Sequence, residues 1–186
     1  MLSVLYDDAV AVLGRWEATS PEAELARKQT VELLEAGPVA MTRAHRAGHV
    51  TASALIVGAD RRVLLCLHGR LRMWMQLGGH CEETDVSLAA AALREATEES
   101  GIPGLVLDPD PIDVDIHPVR CAPADGRPAE PSFHYDVRFL IRAPAGAREQ
   151  ISDESAALAW FTGGDLPSPL APSTARQIAP ALARLA

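Results

Sequence analysis

The chain has 186 residues and is 48% hydrophobic but only 4% aromatic, which allows a sizeable, mostly aliphatic core. Its formal charge of −8 excludes a dominant nucleic-acid or anionic-membrane surface and leaves room only for a local basic pocket. Cys66, Cys81 and Cys121 form no CxxC pair, and no apolar run approaches the roughly 20 residues of a membrane helix, so a reducing cytoplasm is the expected location.

Residues 1–40 read as a helical N-terminal extension, and 41–186 as the main domain. A first helix, "LYDDAVAVLGRW", breaks at "EATSP". Ser20 then caps a second helix with Pro21 at its first position, and Gly37-Pro38 ends it. Leu25, Val31, Leu33 and Leu34 give that helix an apolar side, which packs on this chain or on a second copy in a homodimer.

Two β-like runs follow, "HVTASALIVG" (49–58) and "RVLLCLH" (62–68), joined by the turn "ADR". "MWMQL" is a short third strand, and Gly78-Gly79 forms a backbone-exposing turn after it. The run Val86 to Ser100 has no Pro or Gly and is rich in Ala, so it predicts a helix. Thr84 or Asp85 can cap its start, and Gly101 fits the left-handed position beyond its end. Alternating apolar and acidic residues in "LVLDPDPIDVDIHPVR" predict a half-exposed strand. A Pro/Gly loop, the strand "FHYDVRFLIRA", the polar loop "PAGAREQISDES", the strand "ALAWFTG" and a C-terminal helix complete the chain. Strands on both sides of a helix indicate an α/β sandwich.

The long helix ends on "REATEESG". Glu95, Glu98 and Glu99 are spaced i, i+3, i+4, so they share a face, where like charges cost roughly 0.2–0.5 kcal/mol per pair. Glu98 and Glu99 also sit at the negative end of the helix dipole, which is unfavourable by roughly 0.3–1 kcal/mol each. Arg94 offsets part of this. Such clusters are commonly just solvated faces, but here a strand and a glycine pair precede the acids. Hard carboxylate oxygens suit Mg²⁺ or Mn²⁺, and a glycine carbonyl can join them.

The segment from Arg94 to Ile102 resembles the second half of the Nudix box, Gly-x5-Glu-x7-Arg-Glu-U-x-Glu-Glu-x-Gly-U with U bulky and apolar, apart from the small Ala96 at a U position. The resemblance covers roughly residues 45–165 and implies an α/β/α sandwich with a mixed sheet; "LRMWMQLGGH" with the N-terminal extension resembles a bacterial subgroup. The first half departs from the pattern. One extra residue lies between the glycines and Arg94, Asp85 or Val86 falls where Glu is expected, and Leu77 stands where many members have Pro. Asp85 is then either a shorter substitute for that glutamate or the helix cap.

The resemblance implies a Mg²⁺-dependent pyrophosphohydrolase acting on a small nucleotide, such as a nucleoside triphosphate or an ADP-ribose-like compound. It assigns the metal to Glu98, Glu99 and the carbonyl of Gly78, with Glu95 binding a second ion or orienting a water and Arg94 holding a carboxylate. A general base on a distant loop is another family device. Glu154 and then Asp153, in "ISDES", are the candidates here, with a turn-capping role as the alternative, and Glu130 ranks below them. The competing class is a catalytically inactive Nudix-fold nucleotide sensor, which the altered box start favours and the intact acids oppose. Isoprenoid isomerisation would call for a Cys-His-Pro context that Cys66 and Cys81 lack.

Other residues carry two readings each. Trp74 stacks on a base or packs in the core. His80 donates to the phosphate path or is idle. Arg46, grouped with Arg43, His45 and His49, and Arg72, near Arg70, bind phosphate or line solvated loops. His80-Cys81 and His117-x3-Cys121 match no common zinc spacing, so zinc is not expected.

Overall fold

The computed structural model describes residues 2–122, 128–150 and 155–185. The first helix, α1, spans Leu2–Arg15, and α2 spans Pro21–Leu34. Ser20 caps α2 as expected, its hydroxyl accepting from the Ala23 amide at 3.1 Å. The buried stripe of α2 is Ala23, Ala26, Thr30 and Leu34, not the expected Leu25 and Val31, which are 59% and 39% exposed. Small residues on that stripe let α2 approach its neighbours closely, leaving the larger apolar ones outside.

A single 3-10 turn, Pro38–Met41, leads into β1 (His49–Val57), the middle of the sheet. All nine residues of β1 are buried, as the near-continuous apolar run "ALIV" requires of a strand covered on both faces. It pairs antiparallel with β2 (Val63–His68) and β4 (Leu77–His80), and parallel with β7 (Glu130–Arg142). Strand β2 also holds β3 (Trp74–Met75) and β8 (Ser155–Phe161). On the other side, β7 pairs with β5 (Val106–Leu107) and β6 (Asp113–Cys121). The sheet is therefore mixed, its one parallel pair being β1 with β7 among the described strands.

Two corrections to the sequence expectations fall near the acidic helix. Gly78-Gly79 lies inside β4, paired with Ser53 and Ala52, rather than in a turn after a strand. The helix, α3, spans Leu88–Ser100, and its cap is Ser87, whose hydroxyl accepts from the Ala90 amide at 3.0 Å; neither Thr84 nor Asp85 takes that place. Gly101 does close it, at φ 64°. The last helix, α4, runs from Pro172 to Arg184.

One apolar cluster joins Leu5, Ala9 and Leu13 of α1 and Leu88, Ala92 and Ala96 of α3 to Ala52, Ala54, Val137 and Phe139 of the sheet. A second lies on the opposite face, where Leu55, Val63, Leu65 and Leu140 meet Ile178 and Ala181 of α4. The result is a helix–sheet–helix sandwich with α1 and α3 on one side and α4 on the other. The α1 helix also completes α3, because the Asp8 carboxylate accepts from the Leu88 amide at 2.8 Å.

Candidate functional site

Arg94, near the middle of α3, gathers the acids of that helix and of the loop before it. Its Nε donates to Asp85 Oδ1 at 3.1 Å and its Nη2 to Asp85 Oδ2 at 3.0 Å. Nη1 donates to Glu95 at 2.9 Å and to Glu98 at 3.2 Å, and Nη2 reaches the His80 carbonyl at 3.0 Å. These partners, Asp85 first, hold the guanidinium firmly in its charged form. The loop 81–87 absorbs the extra residue. Asp85 folds back inside it, accepting from the Glu82 amide at 2.7 Å, and is buried. It serves the arginine rather than the helix terminus.

The glycine pair seats the remaining acids. The Gly78 amide donates to Glu99 Oε2 at 3.0 Å. Gly78 lies at φ 145°, and a Cβ there would fall 2.3 Å from Ser53 Cβ, so only glycine fits. A Cβ on Gly79 would fall 2.7 Å from Glu95 Oε2. Missing side chains thus form the cradle in which the Glu95 carboxylate sits, only 16% exposed, while Glu98 is 60% exposed and open to a ligand. All donors converging here are oxygens. That set fits a hard divalent cation and does not suit a soft one.

The other predicted site residues are dispersed. Trp74 packs edge-on against Phe161, with ring centroids 4.9 Å apart, in the cluster beneath α4. Arg72 lies exposed in the β2–β3 turn at φ 54°. Arg46 pairs with Glu130 at 3.4 Å, both exposed. The candidate bases Glu154 and Asp153 lie outside the described residues.

His80 has the surroundings least visible in the sequence. Strand alternation and register place His49, Thr51 and Ser53 of β1, Asp113, Asp115, His117 and Cys121 of β6, and His134, Asp136 and Arg138 of β7 on one face of the sheet. Toward α4 this face is an ionic network. Arg138, 1% exposed, contacts Asp136 at 2.8 Å, Asp115 at 3.1 Å and Asp113 at 3.5 Å, and Arg176 joins from α4. At the other end the rings of His49, His80 and His134 lie 4.9–5.1 Å apart, with the Cys121 sulfur among them. Burial, with the neighbouring charged groups, lowers His49 and His134 to about 4 and His80 to about 3, so all three are neutral at pH 7. No sequence pattern marks this group, because its members come from four strands.

The NUDIX domain family model matches residues 47–182. No curated protein matches the chain. Among solved structures, an Ap4A hydrolase binary complex from C. elegans superposes with a TM-score of 0.56 at 17% identity, over 73% of this chain and 96% of that one. A NUDIX-family hydrolase from Clostridium perfringens gives 0.56 at 23% identity, over 74% and 98%. The NUDIX domain of Shewanella oneidensis NrtR, complexed with ADP ribose, gives 0.53 at 23% identity, over 77% and 92%. These likenesses establish the fold.

Proposed function

The chain belongs to the NUDIX family and is a pyrophosphohydrolase acting on phosphoric anhydrides, and from that premise we propose that it cleaves the pyrophosphate bond of a small nucleoside diphosphate derivative in a Mg²⁺-dependent reaction. The observation that carries this reading is the seating of the α3 acids: Arg94 and the two glycines fix three carboxylates that would otherwise repel one another.

Glu95, Glu98, Glu99 and the Gly78 carbonyl would hold magnesium or manganese, which when bound neutralises pyrophosphate charge and acidifies water. Glu95, fixed by Arg94, orients the attacking water. Arg94 bridges Glu95 and Glu98 through one nitrogen and so offsets their mutual repulsion along the helix face. Asp85 holds Arg94 in place and so replaces by an ion pair what a longer glutamate would supply. Glu154, then Asp153, remain the proposed general base. That Cys81 and Cys121 are thiols outside any disulfide supports a reducing, cytoplasmic setting, and no described helix is long and apolar enough to cross a membrane. Exposed Val4 and Val10 on α1 and Leu25 on α2 support a homodimer contact through the extension.

A panel of nucleoside triphosphates, ADP-ribose, dinucleotides and coenzyme A, each assayed with Mg²⁺, Mn²⁺ and chelator, tests this. Metal-dependent release of a monophosphate product from one member identifies the substrate class. Tight nucleotide binding without turnover favours the sensor reading, for which the shortened Asp85 is the supporting observation.

A further inference from the structure

We propose that His49, His80, Cys121 and His134 form a zinc-binding site distinct from the carboxylate helix. One ligand atom from each of the four lies within 4.8 Å of the others. His80 Nε2 is 3.4 Å and His49 Nε2 4.0 Å from Cys121 Sγ. Zinc bonds of about 2.0–2.1 Å to nitrogen and about 2.3 Å to sulfur place tetrahedral ligand atoms about 3.3–3.6 Å apart, so small ring rotations complete the shell.

Simple ring packing does not account for the group. His49 is 1% exposed, and Nε2 of His134 is buried within the ring group with no hydrogen-bond partner. Buried polar atoms are nearly always satisfied, so an orphaned nitrogen within a ring cluster points to a missing ligand. The chemistry selects the metal. Three imidazoles and a thiol are borderline-soft donors that suit Zn²⁺ and do not suit Mg²⁺. Ligation takes neutral imidazoles and a thiolate, so zinc binding is accompanied by release of a proton to solvent. The resulting thiolate offsets the positive charge of nearby Arg43, which opposes a cation here.

Four protein ligands close the shell, so the role is structural. The ion would tie β1, β4, β6 and β7 together at one end of the sheet. His80 directly follows Gly79, and its carbonyl accepts from Arg94. Zinc on the ring therefore anchors the strand that seats Glu95 and Glu99.

The test uses the purified full chain. After incubation with Zn²⁺ and gel filtration, the wild type retains about one zinc per chain. Replacement by Co²⁺ gives tetrahedral visible bands and a thiolate-to-cobalt charge-transfer band. Cys121→Ser abolishes the charge-transfer band, His134→Gln lowers retained zinc at least tenfold, and Glu98→Gln retains it fully. A wild type that retains no zinc, or a cobalt spectrum without the thiolate band, overturns the site; so does loss of zinc in Glu98→Gln, which would assign the metal to the carboxylates. Because the wild-type cobalt spectrum decides alone, poor folding of a variant does not blunt the test.

Discussion

Asp85 and Arg94 meet in a two-pronged ion pair, with Nε to Oδ1 at 3.1 Å and Nη2 to Oδ2 at 3.0 Å. The pair is largely screened from water, Asp85 being 5% and Arg94 21% exposed along their side chains. It explains how a chain with one residue too many before Arg94 still presents the α3 acids in order. Asp85→Asn removes the carboxylate charge and turns one of its two accepting oxygens into an amide donor, at a cost of about 1.5–3 kcal/mol of charge-assisted bonding. The predicted outcome is a fall in kcat on the order of tenfold to a hundredfold with little change in KM, read from steady-state kinetics.

Gly78 has no tolerated substitute. In Gly78→Ala the new methyl meets Ser53 Cβ at 2.3 Å and the Ser53 Cα at 2.4 Å, in a backbone conformation that L-residues avoid. Neither contact can yield without breaking the β1–β4 pairing. A loss of about 3 kcal/mol or more is expected from urea unfolding, large enough to be diagnostic.

The extension contributes to the helix it covers. Asp8→Ala deletes the acceptor of the Leu88 amide and should cost about 1 kcal/mol, or about 2–4 °C in Tm for a chain of this size. The drop should be matched by faster amide exchange in the first turn of α3 alone.

The buried network predicts an acid sensitivity. Burial tends to raise Asp115, but the His117 hydrogen bond and the charges of Arg138 and Arg176 outweigh it and hold the carboxyl at about 2. A folded value below the ordinary one means stability present above about pH 4 and lost as pH falls toward about 2, worth about 2 kcal/mol. Asp113 is pushed the other way, chiefly by burial, so Asp115→Asn isolates the effect: its acid-unfolding curve should be flatter across that window. Arg138→Met should cost about 3–5 kcal/mol, because it strands buried carboxylates.

Much of this was legible in the sequence because it is local. Ser20 before Pro21, Gly101 after the acids and the "ALIV" run each act on their neighbours, and the structure follows them. The start of α3 was misread because Thr84, Asp85 and Ser87 are all competent caps, and a tertiary bond to Arg94 withdraws Asp85 from the competition. Trp74 gave no local sign that its ring packs edge-on against Phe161. The histidine–cysteine group was beyond reach in principle: His49 and Cys121 are 72 positions apart, and only the register of β1, β4, β6 and β7 brings them together.

The measurement that bears most directly on the central claim is the rate of pyrophosphate cleavage by wild type and Glu98→Gln, with Mg²⁺ and with chelator, on whichever panel member turns over. Glu98 is exposed enough that its amide should leave the fold intact, which circular dichroism verifies. Turnover is expected only with metal, reduced at least a hundredfold in the variant. Equal rates in wild type and variant, or turnover undiminished by chelator, would contradict it.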